Sequence, residues 1–380
     1  MLKMNEYIHE YTMRDYSNFP QGEIKLDCSL GVNSESLPAL VFTRLGQLNA
    51  ANQNDIKYYP HTDAVHQTIA GYYKKKGIGW ITKDNILLGC GSLDLLGNIN
   101  LLCLTRGKKV LGHGPQFTAY IDQVNCIGSM YCHCDFKKEN NYLFVAGDYA
   151  AEMNSDYDLF IVENPNNPTG QTIRLDDLKI IAEKAKRLNT ILIVDEAYGD
   201  YMEFTASAIN LLYDYPNVVV TRTFSKAFGA AGMRMGYALF SPNLSSRPED
   251  NILTQLKKLE NTFSCNGVAR VIAQALLDTT EDIIKIDKIM EHKQEIIKSL
   301  SVFKLAATSV RVPIMTIYYE TGDRNFDLQL SLLENEKLLT VSCGSYFGLD
   351  KRAVRIMLPS SDDRVADLKQ MLISAQNRLK

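Results

Sequence analysis

A few short stretches of this chain place reactive side chains just where buried strands end. Asp195-Glu196-Ala197-Tyr198 follows the apolar run Ile191–Val194, and Thr223-Phe224-Ser225-Lys226 follows Val218–Val220. From Lys226 a glycine-punctuated stretch leads to Arg234 and Gly236. The loop after Val162 delivers Asn167, and Gly89-Cys90-Gly91-Ser92 is a turn that opens a helix. Ligands of an open parallel sheet bind beyond the carboxyl ends of its strands. A carboxylate, a phenol, a lysine, an amide and a helix N-terminus are therefore aimed at one crevice.

Pyridoxal 5'-phosphate (PLP) chemistry needs this set of groups. An amine must attack a carbonyl, which requires a lysine whose pKa is low enough to leave a neutral fraction. Lys226 fits, holding the cofactor as a Schiff base. The ring is an electron sink only while its pyridine nitrogen stays protonated, so it needs a carboxylate partner, and Asp195 fits. Tyr198 and Asn167 suit the tuning of the Schiff base near the ring oxygen. A phosphate needs backbone N–H groups at a helix start, hydroxyls and an arginine. Ser92 with the following Leu93 amide, Ser225 and Arg234 would supply them. Gly89-x-Gly91 invites a dinucleotide reading, but Asp94 stands where the third glycine of that fingerprint belongs.

The elements that must position these groups are legible around them. Short apolar runs alternate with helical patterns through the middle of the chain, as in a parallel α/β sheet. Ile86–Leu88, Leu159–Val162, Ile191–Val194 and Val218–Val220 read as strands, and their brevity suggests burial on both faces. Ser92–Leu104 and about Leu175 to Leu188 read as helices. The second carries Asp176 and Asp177 in its first turn and Lys184, Lys186 and Arg187 near its end, as the helix dipole favours. Glu163 to Gly170 is a turn-rich loop with two prolines. From about Asp250 the character changes: Ile283–Leu300 reads as a long amphipathic helix, Val310–Tyr319 and Val354–Met357 as strands, and Asp363–Leu379 as a closing helix. This predicts a separate small α+β domain.

Composition narrows the class. With 380 residues there is room for one large domain and a smaller one, and a net charge of −3 without a dense Lys/Arg stretch argues against a nucleic-acid groove. No apolar run approaches the roughly 18–20 residues that span a bilayer. Met1–Glu10 has no apolar core and does not read as a secretory signal. The eight cysteines are scattered, which points to reduced thiols and a cytoplasmic setting. Cys132-His133-Cys134 has no second Cys/His pair close by; an alternating, modestly buried strand accounts for it better than a metal site, and no metal is expected.

The segments Asn164–Gly170 (NPNNPTG), Asp195–Tyr198 (DEAY) and Ser225–Gly236 (SKAFGAAGMRMG) resemble the fold-type I, class I/II aminotransferases. They are most similar to the histidinol-phosphate aminotransferase and threonine-phosphate decarboxylase branch. The resemblance extends over most of the chain and implies further roles. Asp27-Cys28-Ser29 through Asn33 resembles the N-terminal active-site strand, with Asn33 at the substrate. Tyr58-Tyr59-Pro60 resembles the segment whose tyrosine, here Tyr59, reaches the cofactor phosphate of a neighbouring subunit, so a homodimer is implied. His61 and His66 read as surface residues near that loop. Pro115-Gln116-Phe117 resembles the element that lays an aromatic ring, Phe117, on the cofactor face. Val354-Arg355-Ile356 resembles the strand whose arginine grips the substrate carboxylate.

The implied fold is α/β, PLP-dependent transferase fold type I. A large domain with a mostly parallel sheet flanked by helices spans 45–250, and a smaller α+β domain is built from 1–44 and 251–380. Three departures from the branch bear on the substrate more than on the cofactor. Leu93 follows Ser92 where relatives carry an acid, with Asp94 next; Met357-Leu358-Pro359-Ser360 replaces a glycine-containing turn; and Arg311-Val312-Pro313-Ile314 lacks an Asn-Phe pair. The implied activity is transamination of an amino acid or amino-alcohol phosphate, a small-molecule substrate. A PLP-dependent decarboxylase or β/γ-lyase stays open, because one electron sink serves them all. A non-enzymatic PLP-binding module fits poorly with the presence of both Lys226 and Asp195.

Overall fold

The computed structural model describes residues 20–49, 53–59, 63–261 and 265–380, together with Ile8. In chain order the first strands are β1 (Leu26–Asp27), β2 (Ile86–Gly89), β3 (Lys109–Gly114), β4 (Met130–Asp135), β5 (Leu159–Glu163), β6 (Ile191–Asp195), β7 (Val218–Thr223) and β8 (Gly236–Leu239). Then come β9 (Lys304–Leu305), β10 (Ile314–Tyr318), β11 (Leu338–Leu339), β12 (Val341–Ser342) and β13 (Ala353–Met357).

Among the described residues, β2 to β8 form a seven-stranded sheet in the order β2-β8-β7-β6-β5-β3-β4. The central pairs are parallel, while β8 runs antiparallel to both neighbours. The apolar runs of β5 to β7 explain why these strands sit in the middle. Successive side chains alternate between faces, so Phe160, Val162, Leu192, Val194, Val218 and Val220 join one apolar cluster. Leu159, Ile161, Ile193 and Val219 join the other. Helix Leu175–Arg187 covers the first face with Leu178, Ile181, Ala182 and Ala185, and helix Ser92–Cys103 covers the second with Leu95, Leu96 and Ile99. Both layers are apolar, so the polar strand ends are the places left for chemistry.

The antiparallel β8 was not legible in the sequence, yet it shapes the site. It pairs Gly236 with Gly89 on one side and with Thr223 on the other, folding the Ser225–Arg234 segment back against the start of helix Ser92–Cys103. β3 was missed as well. Its glycines Gly112 and Gly114 and its buried His113 break the β-branched pattern used to find strands. Cys132-His133-Cys134 does lie on a strand, β4; Cys132 and Cys134 pack towards one core and Tyr131 towards the other.

The remaining strands β9, β10, β12 and β13 make an antiparallel sheet in the order β12-β13-β10-β9. Met315, Ile317, Val354 and Ile356 pack there with Ile296, Leu368 and Leu372 of helices Ile286–Ser299 and Asp362–Leu379. The N-terminal β1 pairs in parallel with β11, and helix Gly267–Asp278 buries Ala269, Ala273 and Leu276 in the same cluster as Val65 and Ile69.

Two elements are shorter than the sequence predicts. The helix expected from Ile283 begins at Ile286, because Ile283 and Ile284 turn inward to the large apolar cluster and a short separate helix, Thr280–Ile283, precedes it. The strand expected from Val310 begins at Ile314. Pro313 has no N–H to give a ladder. The carbonyls of Ser309, Val312 and Ile314 instead accept the buried Lys293 ammonium at 2.7–2.8 Å. Burial alone pushes the Lys293 pKa well below its usual value. No helix among the described residues is long and apolar enough to cross a membrane.

Candidate active site

A cavity opens at the carboxyl ends of the central strands, and Asp195, Tyr198 and Lys226 line it together with Ser92, Leu93, Phe117 and Asn167. The strand register explains part of this convergence. Asp195 is the last residue of β6, paired with Thr221 of β7, and Lys226 follows three residues after β7 ends. The Asp195 carboxylate is buried and accepts the Thr221 hydroxyl at 2.8 Å. Burial pushes its pKa up to about 6, while the Thr221 hydroxyl, the Ala197 amide and the Lys226 ammonium pull the other way. Lys226 Nζ stands 5.5 Å from the centre of the Tyr198 ring. The Tyr198 hydroxyl donates to the Gly31 carbonyl at 3.1 Å, and a Cβ on Gly31 would sit 2.2 Å from that hydroxyl, so only glycine lets the phenol approach.

At the other end of the cavity, helix Ser92–Cys103 starts after Gly91, whose φ is +86° and which has no side chain to cap the helix amides. Open N–H groups at a helix start favour an anion. The Arg234 guanidinium lies against this turn: a Cβ on Gly91 would meet Nη2 at 2.7 Å, and Nη1 donates to Ser225 Oγ at 3.4 Å. A Cβ on Gly236 would meet the Ser92 nitrogen at 2.6 Å, which makes that glycine a condition for the close packing of β8 on the helix start. Asp94, one place later than the acid of the resembling branch, turns back and accepts the Cys90 N–H at 2.9 Å. Open amides, two hydroxyls and a guanidinium at one end, with a lysine and a buried carboxylate at the other, fit the phosphate and ring of PLP.

Arg355 on β13 is buried beside this set. Its Nη1 donates to Asn167 Oδ1 at 3.1 Å, its Nη2 to the Ser29 carbonyl, and its Nε is buried with no hydrogen-bond partner among the described residues. Asn33 lies elsewhere. Its N–H donates to the Lys226 carbonyl at 3.0 Å, and its amide bonds the carbonyls of Ala227 and Ile283 and the Glu35 N–H. It braces the lysine-bearing turn and does not line the cavity. Tyr59 is also not among the lining residues; it is 74% exposed. His66 is described and Pro60 and His61 lie outside the described residues, as does most of Met1–Glu10.

Leu96, Glu163, Pro165 and Ala197 also line the cavity, and Glu163 is the ionisable one among them to which the sequence assigned no role. It closes β5 as Asp195 closes β6, and the two are paired in register. The signal was present: an acid directly after four apolar residues, the same pattern that singled out Asp195.

A family model for class I and II aminotransferases matches residues 27–368. The chain belongs to this family. It is a PLP-dependent aminotransferase of fold type I. It is 26% identical over 377 residues to a histidinol-phosphate aminotransferase from Thermoanaerobacter sp. (strain X514), covering 97% of this chain and all of that protein. Its fold is similar to that of histidinol-phosphate aminotransferase from Sinorhizobium meliloti in complex with pyridoxal-5'-phosphate. There the TM-score is 0.76 at 20% identity, covering 94% of this chain and 92% of that one. L-threonine-O-3-phosphate decarboxylase from Porphyromonas gingivalis shares the fold with a TM-score of 0.73 at 18% identity, over 93% of this aminotransferase and 99% of that chain.

Proposed function

We propose that this aminotransferase takes its amino group from an amino acid or an amino-alcohol phosphate of the histidinol-phosphate type, with Lys226 as the catalytic residue. The observation that carries the reading is the convergence of Lys226 and Asp195 on one cavity, with the buried, partly unpartnered Arg355 bonded to the lining residue Asn167. When bound, PLP supplies an electron sink for the substrate carbanion. Asp195 would hold the proton on the pyridine nitrogen, and Asn167 and Tyr198 would bond the ring oxygen. Phe117 would cover the ring face. Ser92, the Leu93 amide, Ser225 and Arg234 would hold the phosphate, and the outward Tyr59 would complete that site in a partner subunit of a homodimer. Lys226 Nζ would form the covalent link to PLP and, when free, would act as the base that holds the proton of the substrate Cα. Arg355 would bind the carboxylate of an amino-acid substrate bidentately and so orient the Cα–H bond.

The same reading divides the molecule into a large unit, 45–250, and a smaller one from 1–44 and 251–380, with the substrate bound where they meet. Scattered free cysteines support a reducing, cytoplasmic setting and a place in amino-acid biosynthesis. A panel of amino donors tests the reaction. One equivalent of keto product per active site, formed before any keto acid is added, supports transamination; carbon dioxide or ammonia released in its place overturns it. Lys226→Ala should lower turnover by about 10³-fold or more, and a variant with wild-type kinetics would remove Lys226 from the mechanism.

A further inference from the structure

Glu163 takes no part in the steps above, yet it is buried in the cavity wall and bonded to both loops that frame it. Its Oε1 accepts the Phe117 N–H at 2.8 Å, and its Oε2 accepts the Asn167 N–H and the Asn166 side-chain amide, each at 3.1 Å. Asn166 also donates to the Pro115 carbonyl at 2.9 Å, which closes the link between the loops. The backbone makes this link necessary. The β3–β5 pairing ends at Leu111 and Phe160, three residues before Glu163, so no ladder holds the 115–117 loop against the 164–167 loop. Side chains must bridge the gap: His113 Nε2 takes the Glu163 N–H at 2.9 Å, and the Glu163 carboxylate does the rest.

We propose that Glu163 is a positioning residue for the cofactor site, fixing Phe117 and Asn167 relative to each other where the sheet has splayed. The inference rests on the reading that these two residues flank PLP bound at Lys226. A carboxylate suits the task because its two oxygens only accept, and three N–H donors converge on them. Glutamine would turn an NH2 towards one of those donors and leave a buried donor unsatisfied. Aspartate, one methylene shorter, would reach one loop at the expense of the other. The burial of Glu163 and the charge of neighbouring Asp195 both work against its ionisation, whereas the three donors favour it.

The test uses the full chain, stripped of cofactor and titrated with PLP. Wild type should form an absorbance band that Lys226→Ala lacks; if it does not, the reading of Lys226 fails. Given that band, Glu163→Gln should bind PLP about 10-fold more weakly. The pH midpoint of the band should move up by roughly half a unit, because a ring oxygen deprived of Asn167 is the stronger proton acceptor. A folded variant with wild-type affinity and midpoint, even one that melts earlier, overturns the inference, since a purely structural role would change melting alone. If Glu163→Gln does not fold, Glu163→Asp is read in the same way. Amide exchange in the wild type needs no variant: slow exchange at Phe117 and Asn167 supports the link, and fast exchange overturns it.

Discussion

Strands β5 and β6 lie side by side, read Leu-Phe-Ile-Val-Glu and Ile-Leu-Ile-Val-Asp, and end in acids paired in register. Both acids are buried and both line the cavity. Their surroundings nevertheless differ. Asp195 accepts from Thr221 and the Ala197 amide and has the Lys226 ammonium near enough to favour its charge. Glu163 is bonded by Phe117, Asn166 and Asn167, and the charge of Asp195 adds to burial in holding its pKa well above the usual range. Like charges on neighbouring strands do not ionise together cheaply. One acid is left to face a ligand and the other is committed to the protein by the N–H groups it accepts, although the two strands are near copies. The pattern of four apolar residues and an acid marks a buried carboxylate; the donors brought by other segments decide what it does.

That contrast can be broken from the Asp195 side. Asp195→Asn should cost about 10²–10³-fold in kcat, the usual loss when one preorganised electrostatic partner goes, against the smaller and mainly affinity-level effect of Glu163→Gln. Steady-state kinetics on both variants would check it, and equal losses would erase the distinction drawn here.

A second prediction concerns the cofactor-free protein. Asp195 has a folded pKa of about 6 against an ordinary value of 3.8, so the folded state holds its proton more tightly than the unfolded chain. Its contribution is complete below pH 3.8 and is lost as pH rises through 6. Relative to Asp195→Asn, wild type should lose about 3 kcal/mol between these limits. Urea unfolding at pH 3.5 and pH 7 measures the difference, and parallel curves would show that Asp195 is not the group titrating.

The smallest expected effect is that of Thr221→Val, close in shape and lacking the hydroxyl that bonds Asp195. Losing that bond should destabilise the charged carboxylate by about 1 kcal/mol and shift the same stability transition to higher pH. An unmoved transition would mean that the hydroxyl does not tune the acid.

Much of the site was legible in the sequence. Lys226, Asp195, Tyr198 and Asn167 announce themselves by following short apolar runs, and the run itself dictates a buried parallel strand whose end must face outward from the core. What escaped has a common cause. Glu163 was read as the first residue of a loop because its bonding partners, Phe117 and Asn166, come from a strand end and a turn whose separation is not encoded locally. Asn33 carries an amide suited to a ligand, but the fold puts it under the lysine-bearing turn, where Ala227, Ile283 and Glu35 occupy it.

By itself, then, the sequence determined the parallel centre of the sheet, the lysine and its buried acid, and the glycine-led helix start, because each depends on periodicity or on contacts within a few residues. Only the tertiary structure decided that β8 runs antiparallel and seats Arg234 against Gly91, that the β3–β5 ladder ends short of the site, and that of two matching acids one faces Lys226 while the other ties loops together. Those outcomes depend on which donors arrive from distant segments, and a carboxylate takes its role from the donors it meets.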